Sequence, residues 1–220
     1  MRVLAVDTTT PRGSIAVAGP EGVLAEARVL TADGHSRWLL SAASALLAGL
    51  GLDAREVDAF AVTIGPGSFT GLRVGLGSVQ GLAVAAGRPC VGLATLDVLA
   101  ASAAGAADTI VALLDAFRGE VYAGVYDGSG RLRGDRSVGP LSRVLEGLPP
   151  GTAFVGEIDA RSREAIGSGA PGAVFPAAER YLAGPLALQA LLRVDAGDTV
   201  PPSALRPLYL RGADVRPPRP

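Results

Sequence analysis

A glycine-rich loop, GPGSFTGLR at residues 65–73, contains residue types that bind phosphate groups. Glycines allow backbone N–H groups to approach an anion closely, and a helix that follows such a loop presents free N–H groups at its N-terminus. The spacing matches neither common phosphate motif, because there is no Walker lysine and because Thr70 stands where a dinucleotide-binding loop has its third glycine. Contact of a nucleotide or another anion with Gly67 and Ser68, close to Arg73, stays open at this point.

Small residues recur in the helix that we predict after this loop, from about Thr70 to Ala86. A glycine in a helix interior costs about 1 kcal/mol relative to alanine, so a compensating interaction is expected. Small side chains three and four positions apart allow another element to approach the helix closely. The residues concerned are Gly71, Gly75, Gly77, Ser78 and Gly81. Packing inside the chain and contact with a helix of another molecule explain this pattern equally well.

The composition excludes several kinds of site. All 20 basic residues are arginine, so a P-loop lysine, a Schiff-base amine and a Ser-Lys dyad are absent from this sequence. Asparagine is also absent, and the single histidine, His35, cannot supply a His-pair zinc motif, so we expect no metal site. The net charge of −1 gives no excess of positive charge that would attract nucleic acid.

The elements that must position these residues follow the order of an α/β protein. We predict strands at residues 2–7, 14–18, 23–29, 59–65 and 90–94, and further helices at residues 35–50, 96–104 and 182–193. Gly51 is a candidate C-cap of the first helix. After Pro150 the chain is rich in Gly and Pro, which is typical of loops.

The second half of the chain repeats the pattern of the first. Residues 109–138 read as three strands in a meander with Asp115 at the end of the first, as residues 2–30 do with Asp7. Two such lobes resemble the actin-like ATPase and sugar-kinase superfamily. We therefore predict an α/β, two-lobed, degenerate actin-like fold (a ribonuclease H-like duplication), with lobes at residues 1–106 and 107–220. Whether the C-terminal segment packs back on the first lobe is left open.

The sequence also predicts a soluble cytoplasmic protein. The first apolar run is interrupted by Asp7, too early for a secretory signal, and no charge-free apolar stretch reaches about eighteen residues. A lone Cys90 cannot form an internal disulfide, which agrees with a reducing compartment.

Six motifs spread over nearly the whole chain resemble the TsaB (YeaZ) family of bacterial tRNA threonylcarbamoyladenosine biosynthesis proteins. They are LAVDTTT, GHSRWLL, AVTIGPGSFTGLRVGLGSVQGLA, TLDVLA, LLDAFRGEVYAGVYD and PLYLR, and the resemblance is weakest at residues 147–203. It implies a scaffold subunit that pairs with the catalytic paralogue TsaD and acts with the ATPase TsaE and a TsaC-type synthase. The complex threonylcarbamoylates the adenosine next to the anticodon in tRNAs that read codons beginning with A.

The resemblance also implies where the partner binds. In this family the first two helices of the first lobe pack against their counterparts in TsaD or in a second TsaB copy, so a homodimer of the isolated chain is an alternative. For Trp38 the interface is the favoured position, and ordinary core is the alternative, since it lies on the apolar stripe. The residues that correspond to this surface are His35, Trp38, Leu39, Ala42, Phe69, Leu72, Arg73, Gly75, Leu76 and Gln80.

The phosphate loop of the superfamily, Asp-x-Gly-Ser/Thr, is degenerate here. The chain reads DTTT, so Thr9 replaces the glycine that allows a phosphate to approach. Asp7, Thr8 and Thr9 are candidates for nucleotide contact, but capping of the threonine turn is the favoured role of Asp7. We expect no activity and no tightly bound cofactor in the chain alone, with ATP and Mg²⁺ acting through partner subunits and tRNA bound mainly by them. The alternative is a small ATP-dependent enzyme of the actin-like superfamily that acts alone.

Overall fold

The structure, a computed structural model, describes residues 1–31, 34–177 and 179–211. Its strands are β1 Val3–Asp7, β2 Arg12–Gly19, β3 Gly22–Leu30, β4 Ala59–Gly65, β5 Cys90–Ala94, β6 Thr109–Asp115, β7 Glu120–Asp127, β8 Ser137–Pro140 and β9 Ala153–Gly156. Its α-helices are α1 Leu39–Gly49, α2 Phe69–Ala86, α3 Thr95–Ser102, α4 Leu141–Leu145, α5 Ala160–Gly169 and α6 Ala183–Asp195.

The strands form two mixed sheets with the same plan. The first sheet has the order β3-β2-β1-β4-β5 and the second the order β8-β7-β6-β9. In each, the first strand pairs antiparallel with the second and parallel with a later strand, as Val6 pairs with Val62 and Leu113 with Gly156. This duplication confirms the predicted α/β, degenerate actin-like fold.

The helices form layers on both sides of the first sheet. α1 and α2 cover one face, where Leu39, Leu47 and Val79 pack with Phe60. α3 and α6 lie between the two sheets in a core that joins the lobes, and α4 and α5 cover the outer face of the second sheet. α6 belongs to the second half of the chain, yet its Leu186 packs in the same cluster as strands of the first sheet.

Several predicted boundaries require correction. α1 begins at Leu39, because residues 35–37 form a 3₁₀ turn after Gly34, which has a positive φ of 85°. Gly51 does adopt the left-handed conformation that follows a helix C-terminus, with φ 66°. β9 and α5 were not predicted, since β9 has four residues and α5 buries only Ile166, which leaves too weak a periodic signal. No helix in the described ranges is long and apolar enough to span a bilayer.

Candidate functional site

Asp7 caps the turn between β1 and β2. Its Oδ1 accepts hydrogen bonds from the Thr9 N–H at 3.2 Å, the Thr9 hydroxyl at 2.6 Å and the Thr63 hydroxyl at 2.6 Å. Its Oδ2 is buried and has no hydrogen-bond partner among the residues that the structure describes. Burial raises the pKa of the Asp7 carboxyl above its usual value, although the hydrogen bonds from Thr63 and Thr9 act in the opposite direction. The carboxylate thus holds the threonine turn, the role that the sequence favoured.

Thr8 brings this turn against the first turns of α2. Its hydroxyl donates to the Gly71 carbonyl at 2.8 Å. A Cβ at Gly71 would lie 2.0 Å from the Thr8 carbonyl oxygen, and a Cβ at Gly75 would lie 2.3 Å from the Thr8 hydroxyl. Gly71 and Gly75 therefore serve packing inside the chain. Thr8 fills the space beside Gly75, so internal packing explains this glycine without a partner, and its assignment to the partner surface stays a prediction.

The glycine loop closes on the same turn. The Ser68 N–H donates to the Thr9 carbonyl at 2.7 Å, and the Ser68 hydroxyl accepts from the Gly71 N–H at 3.2 Å. A Cβ at Gly67 would lie 2.6 Å from the Thr9 carbonyl oxygen. The candidate anion contacts Gly67, Ser68, Thr8 and Thr9 therefore face one another. In this conformation the Ser68 N–H is engaged within the chain and is not presented to a phosphate.

His35 and Trp38 form a short hydrogen-bonded chain beside β2. The Trp38 indole N–H donates to His35 Nδ1 at 3.2 Å, so Nε2 carries the His35 proton and donates it to the Thr10 carbonyl at 2.8 Å. Gly13 lies beneath both rings, where a Cβ would be 2.5 Å from each. His35 is buried, whereas Trp38 is half-buried and packs at the edge of the α1–α2 core.

The predicted partner residues divide by exposure. His35, Leu39, Leu72, Gly75 and Leu76 are buried, Trp38, Ala42 and Gln80 are half-buried, and Phe69 and Arg73 are exposed. The buried members lie beneath the surface and present little or no side-chain area in the isolated chain, so their part in partner binding stays a prediction. Gln80 is also engaged, because its side-chain N–H group donates to the carbonyls of Pro202 at 2.9 Å and Leu205 at 3.3 Å.

The exposed stripe of α2, which we call the α2 face, consists of Phe69, Arg73, Gly77, Gly81 and Val84. Gly77 and Gly81 have no atom within 4 Å of the position that a Cβ would take, so nothing described in the chain packs on them. Phe69 is 53% exposed and Val84 is 70% exposed. Gly77 and Gly81 were among the small residues for which the sequence left contact with another molecule open, whereas Val84 was not named. Helical spacing places all three on the stripe of Phe69 and Arg73.

Leu40 of α1, 56% exposed, is a second exposed apolar side chain on the layer that α1 and α2 form on the first sheet. It was also missing from the predicted surface. The long apolar side chains of α1 that lie on the core side, Leu39 and Leu47, are buried instead. A single exposed leucine on a surface helix is common, so Leu40 indicates a binding surface only in combination with the α2 face.

A cleft of about 1120 Å³ lies between the lobes. It is lined by Thr10 from the β1–β2 turn, by Arg12 at the start of β2, by Asp115 at the end of β6 and by Glu157, which follows β9. Arg12 and Glu157 form an ion pair across it at 3.6 Å. Burial raises the pKa of Glu157, and nearby Asp115 acts in the same direction while Arg12 opposes it. Among the described residues, no group of three or more His, Cys, Asp and Glu side chains could hold a metal ion.

Comparison with known proteins finds relatives of this chain. Residues 21–153 match the family described as TsaD, tRNA N6-adenosine threonylcarbamoyltransferase. The chain is 31% identical over 225 residues to the tRNA threonylcarbamoyladenosine biosynthesis protein TsaB of Escherichia coli K12, covering 96% of this chain and 95% of that protein. It is 38% identical over 124 residues to the TsaB protein of Haemophilus influenzae, covering 56% of this chain and 52% of that protein. YeaZ from Pseudomonas aeruginosa superposes with a TM-score of 0.80 at 30% identity, covering 95% of this chain and 99% of that one.

The similarity to E. coli TsaB and to the P. aeruginosa YeaZ structure covers both lobes, so it is not confined to a shared motif. The names of these relatives support a role in the formation of threonylcarbamoyladenosine in tRNA. The chain belongs to the TsaB (YeaZ) family of tRNA threonylcarbamoyladenosine biosynthesis proteins.

Proposed function

We propose that the chain is a non-catalytic scaffold subunit that supports threonylcarbamoylation of the adenosine next to the anticodon in tRNAs reading codons that begin with A. It acts in a complex with the catalytic paralogue TsaD and with TsaE, and a TsaC-type synthase supplies the activated intermediate. ATP and Mg²⁺ act through the partner subunits, tRNA is bound mainly by them, and the complex works in the cytoplasm.

The α2 face is the observation that carries this proposal. Two glycines in a helix interior, Gly77 and Gly81, face open space, and each costs about 1 kcal/mol relative to alanine without any packing within the described chain to offset it. Exposed Phe69 and Val84 flank them on the same stripe. A helix of another subunit that packs on this stripe would bury these side chains and use the close approach that the glycines allow. A partner-binding role therefore explains the exposed glycines of α2, which packing within this chain does not explain.

The geometry of the threonine turn supports the non-catalytic part of the proposal. In a phosphate loop, backbone N–H groups and a glycine leave room for the anion. Here the Thr9 N–H and hydroxyl donate to Asp7, and the Thr9 carbonyl accepts from the Ser68 N–H. The hydrogen-bonding groups of the turn and of the glycine loop are thus paired within the chain. Asp7 is likewise occupied by three hydrogen bonds on one oxygen and is fully buried. These groups would have to separate before a phosphate could reach them.

The test is reconstitution with purified TsaC, TsaD and TsaE proteins, ATP, Mg²⁺, threonine, bicarbonate and unmodified tRNA. The modified nucleoside is measured by mass spectrometry of digested tRNA, and ATP turnover is measured for the chain alone and for the mixture. We expect no turnover by the chain alone and modification only when the chain and its partners are combined. Metal-dependent ATP turnover that copurifies with the chain and is lost in Asp7→Ala would instead favour the stand-alone enzyme.

A further inference from the structure

We propose that the C-terminal residues 200–211, called the strap here, form part of the partner-binding surface. Tyr209 of the strap and Phe69 and Arg73 of α2 form one exposed cluster, and this cluster contacts a carboxylate-bearing, apolar patch on the partner protein. The inference rests on the proposed scaffold function and adds to it the chemistry of the partner.

The strap is fixed along its length on the first lobe. Val200 and Cys90 exchange backbone hydrogen bonds of 2.8 Å, and Leu205 is buried in the core beneath α1 and α2. The Leu208 N–H then donates to the Ile64 carbonyl at 2.7 Å, at the end of β4. These contacts bring the strap to the N-terminal end of α2.

The strap also reaches the second lobe immediately after Tyr209. The Arg211 guanidinium donates to the Glu120 carboxylate and, at 3.1 Å, to the Ala116 carbonyl in the turn between β6 and β7. Leu208 on one side and Arg211 on the other thus hold the backbone around Tyr209. A backbone segment held in this way loses little conformational freedom when a partner binds it.

Tyr209 extends the α2 face with a stacked cluster. Its ring centroid lies 5.8 Å from that of Phe69 with an interplanar angle of 32°, and the Arg73 guanidinium carbon lies 3.9 Å from the Phe69 ring centroid. Phe69 remains 53% exposed and Tyr209 47% exposed, so both rings have free faces. Aromatic and arginine side chains that are preorganised and exposed are the residue types that dominate binding energy at protein interfaces.

The charge of the surface indicates the chemistry of the partner. α1, α2 and the strap contain the arginines Arg73, Arg206 and Arg211 and no acidic residue, although the chain has 21 acidic residues in total. Arg211 pairs with Glu120, and Arg206 donates to the carbonyls of Ser203 and Leu205. Arg73 pairs with no carboxylate among the described residues and only stacks on Phe69. A carboxylate of the partner opposite Arg73 would complete the cluster.

A protein partner fits this surface better than RNA or a second copy does. RNA-binding surfaces neutralise several phosphates, whereas α1 carries no charge and α2 carries a single arginine among small and apolar residues. A second copy would bring another surface without carboxylates against Arg73. The occupant that we infer is therefore the TsaD-type subunit, through an acidic patch next to an apolar side chain.

The experiment measures the affinity of the full chain for the purified TsaD-type protein by calorimetry at two salt concentrations. We expect Arg73→Glu to weaken association about tenfold or more and to abolish the loss of affinity that salt causes in the parent chain. We expect Tyr209→Ala to weaken association about fivefold or more, with little change in the salt dependence. Both side chains are exposed, so thermal unfolding should stay close to that of the parent chain. If Tyr209→Ala does not fold, Tyr209→Gln takes its place as the test of the strap.

The matched controls lie away from the surface. Arg143→Glu makes the same charge reversal at an exposed position on α4, and Leu192→Ala truncates an apolar side chain that is 72% exposed on α6. Both should leave the affinity unchanged.

Four outcomes would overturn the inference. If the parent chain binds the TsaD-type protein and the Tyr209 variant binds equally well, the strap is not at the interface, while the scaffold function stands. If the variants change only tRNA binding by the assembled complex, or only self-association in sedimentation, the surface has a different occupant. If the parent chain does not bind the TsaD-type protein at all, the proposed function fails and this inference fails with it.

Discussion

The Thr8 hydroxyl donates a hydrogen bond of 2.8 Å to the Gly71 carbonyl, and the Thr8 carbonyl oxygen occupies the space beside Gly71 that any larger residue would need. The β1–β2 turn and the start of α2 are therefore packed backbone against backbone. A turn that binds a nucleotide would have to leave its N–H groups open to a phosphate. Here the turn faces a helix of its own lobe. This contact distinguishes the inner glycines of α2, Gly71 and Gly75, which pack against Thr8, from the outer glycines, Gly77 and Gly81, which face open space.

The first prediction compares the same substitution on the two sides of α2. Gly71→Ala should destabilise the protein by roughly 1–3 kcal/mol or more, because the added Cβ meets a backbone carbonyl that cannot rotate away. Gly77→Ala should stabilise it by about 0.5–1 kcal/mol, because alanine favours the helix and the Cβ meets no atom within 4 Å. Urea unfolding of the two variants measures both effects. A change of the same sign in both would contradict the packing described for Thr8.

The second prediction tests partner binding at one of the outer glycines of α2, Gly77. Gly77→Leu should fold normally but bind the TsaD-type partner about tenfold or more weakly, since overpacking costs roughly 1–3 kcal/mol and about 1.4 kcal/mol is one decade in affinity. Gly167→Leu is the matched control, because Gly167 is also an exposed glycine within a helix with no atom within 4 Å of its Cβ position, in the second lobe. Unchanged affinity of Gly77→Leu would show that the α2 face is not the contact.

The third prediction concerns the pH dependence of stability. The pKa of Asp7 is raised in the folded state. Between its unfolded value of about 4 and its folded value, the folded state therefore binds more protons than the unfolded state. The contribution of Asp7 is therefore complete at low pH and is lost as the pH rises through the folded pKa. We expect Asp7→Asn to gain stability relative to the parent chain across this window, by at most about 1.4 kcal/mol per pH unit.

Urea unfolding at intervals from pH 4 to 8 measures this difference. Asp135→Asn is the control, because it makes the same substitution at an exposed position. A difference between Asp7→Asn and the parent chain that falls as the pH rises would mean that the hydrogen bonds from Thr9 and Thr63 outweigh the burial of the carboxylate.

The fourth prediction concerns tRNA. The isolated chain has a net charge of −1, and phosphate neutralisation supplies most of the non-specific affinity for nucleic acid, so the chain should bind tRNA only weakly at physiological salt. Filter binding of the lone subunit and of its complex with the TsaD-type protein would compare the two. Submicromolar binding by the lone subunit would mean that tRNA contact falls largely on this chain.

The sequence determined the class of fold and the position of most elements of the first lobe. Apolar alternation and helical spacing predicted the strands and α2 within a few residues, because buried faces repeat every two or about 3.6 residues. An aspartate ends the first strand of each half, Asp7 in β1 and Asp115 in β6, and this repeat indicated the duplication. The motif GPGSFTGLR and its neighbours were sufficient for the family.

Only the tertiary structure decided what each small residue faces. The sequence shows glycines at 71, 75, 77 and 81, but helical spacing alone does not tell which stripe meets the chain and which meets solvent. The answer depends on Thr8, more than sixty residues away from Gly71 in the chain. In the same way, the course of the strap depends on contacts such as Leu208 with Ile64, whose sequence separation leaves no local pattern. Contacts between distant segments are fixed by packing of the whole lobe, so they could not be read from residue types and spacing.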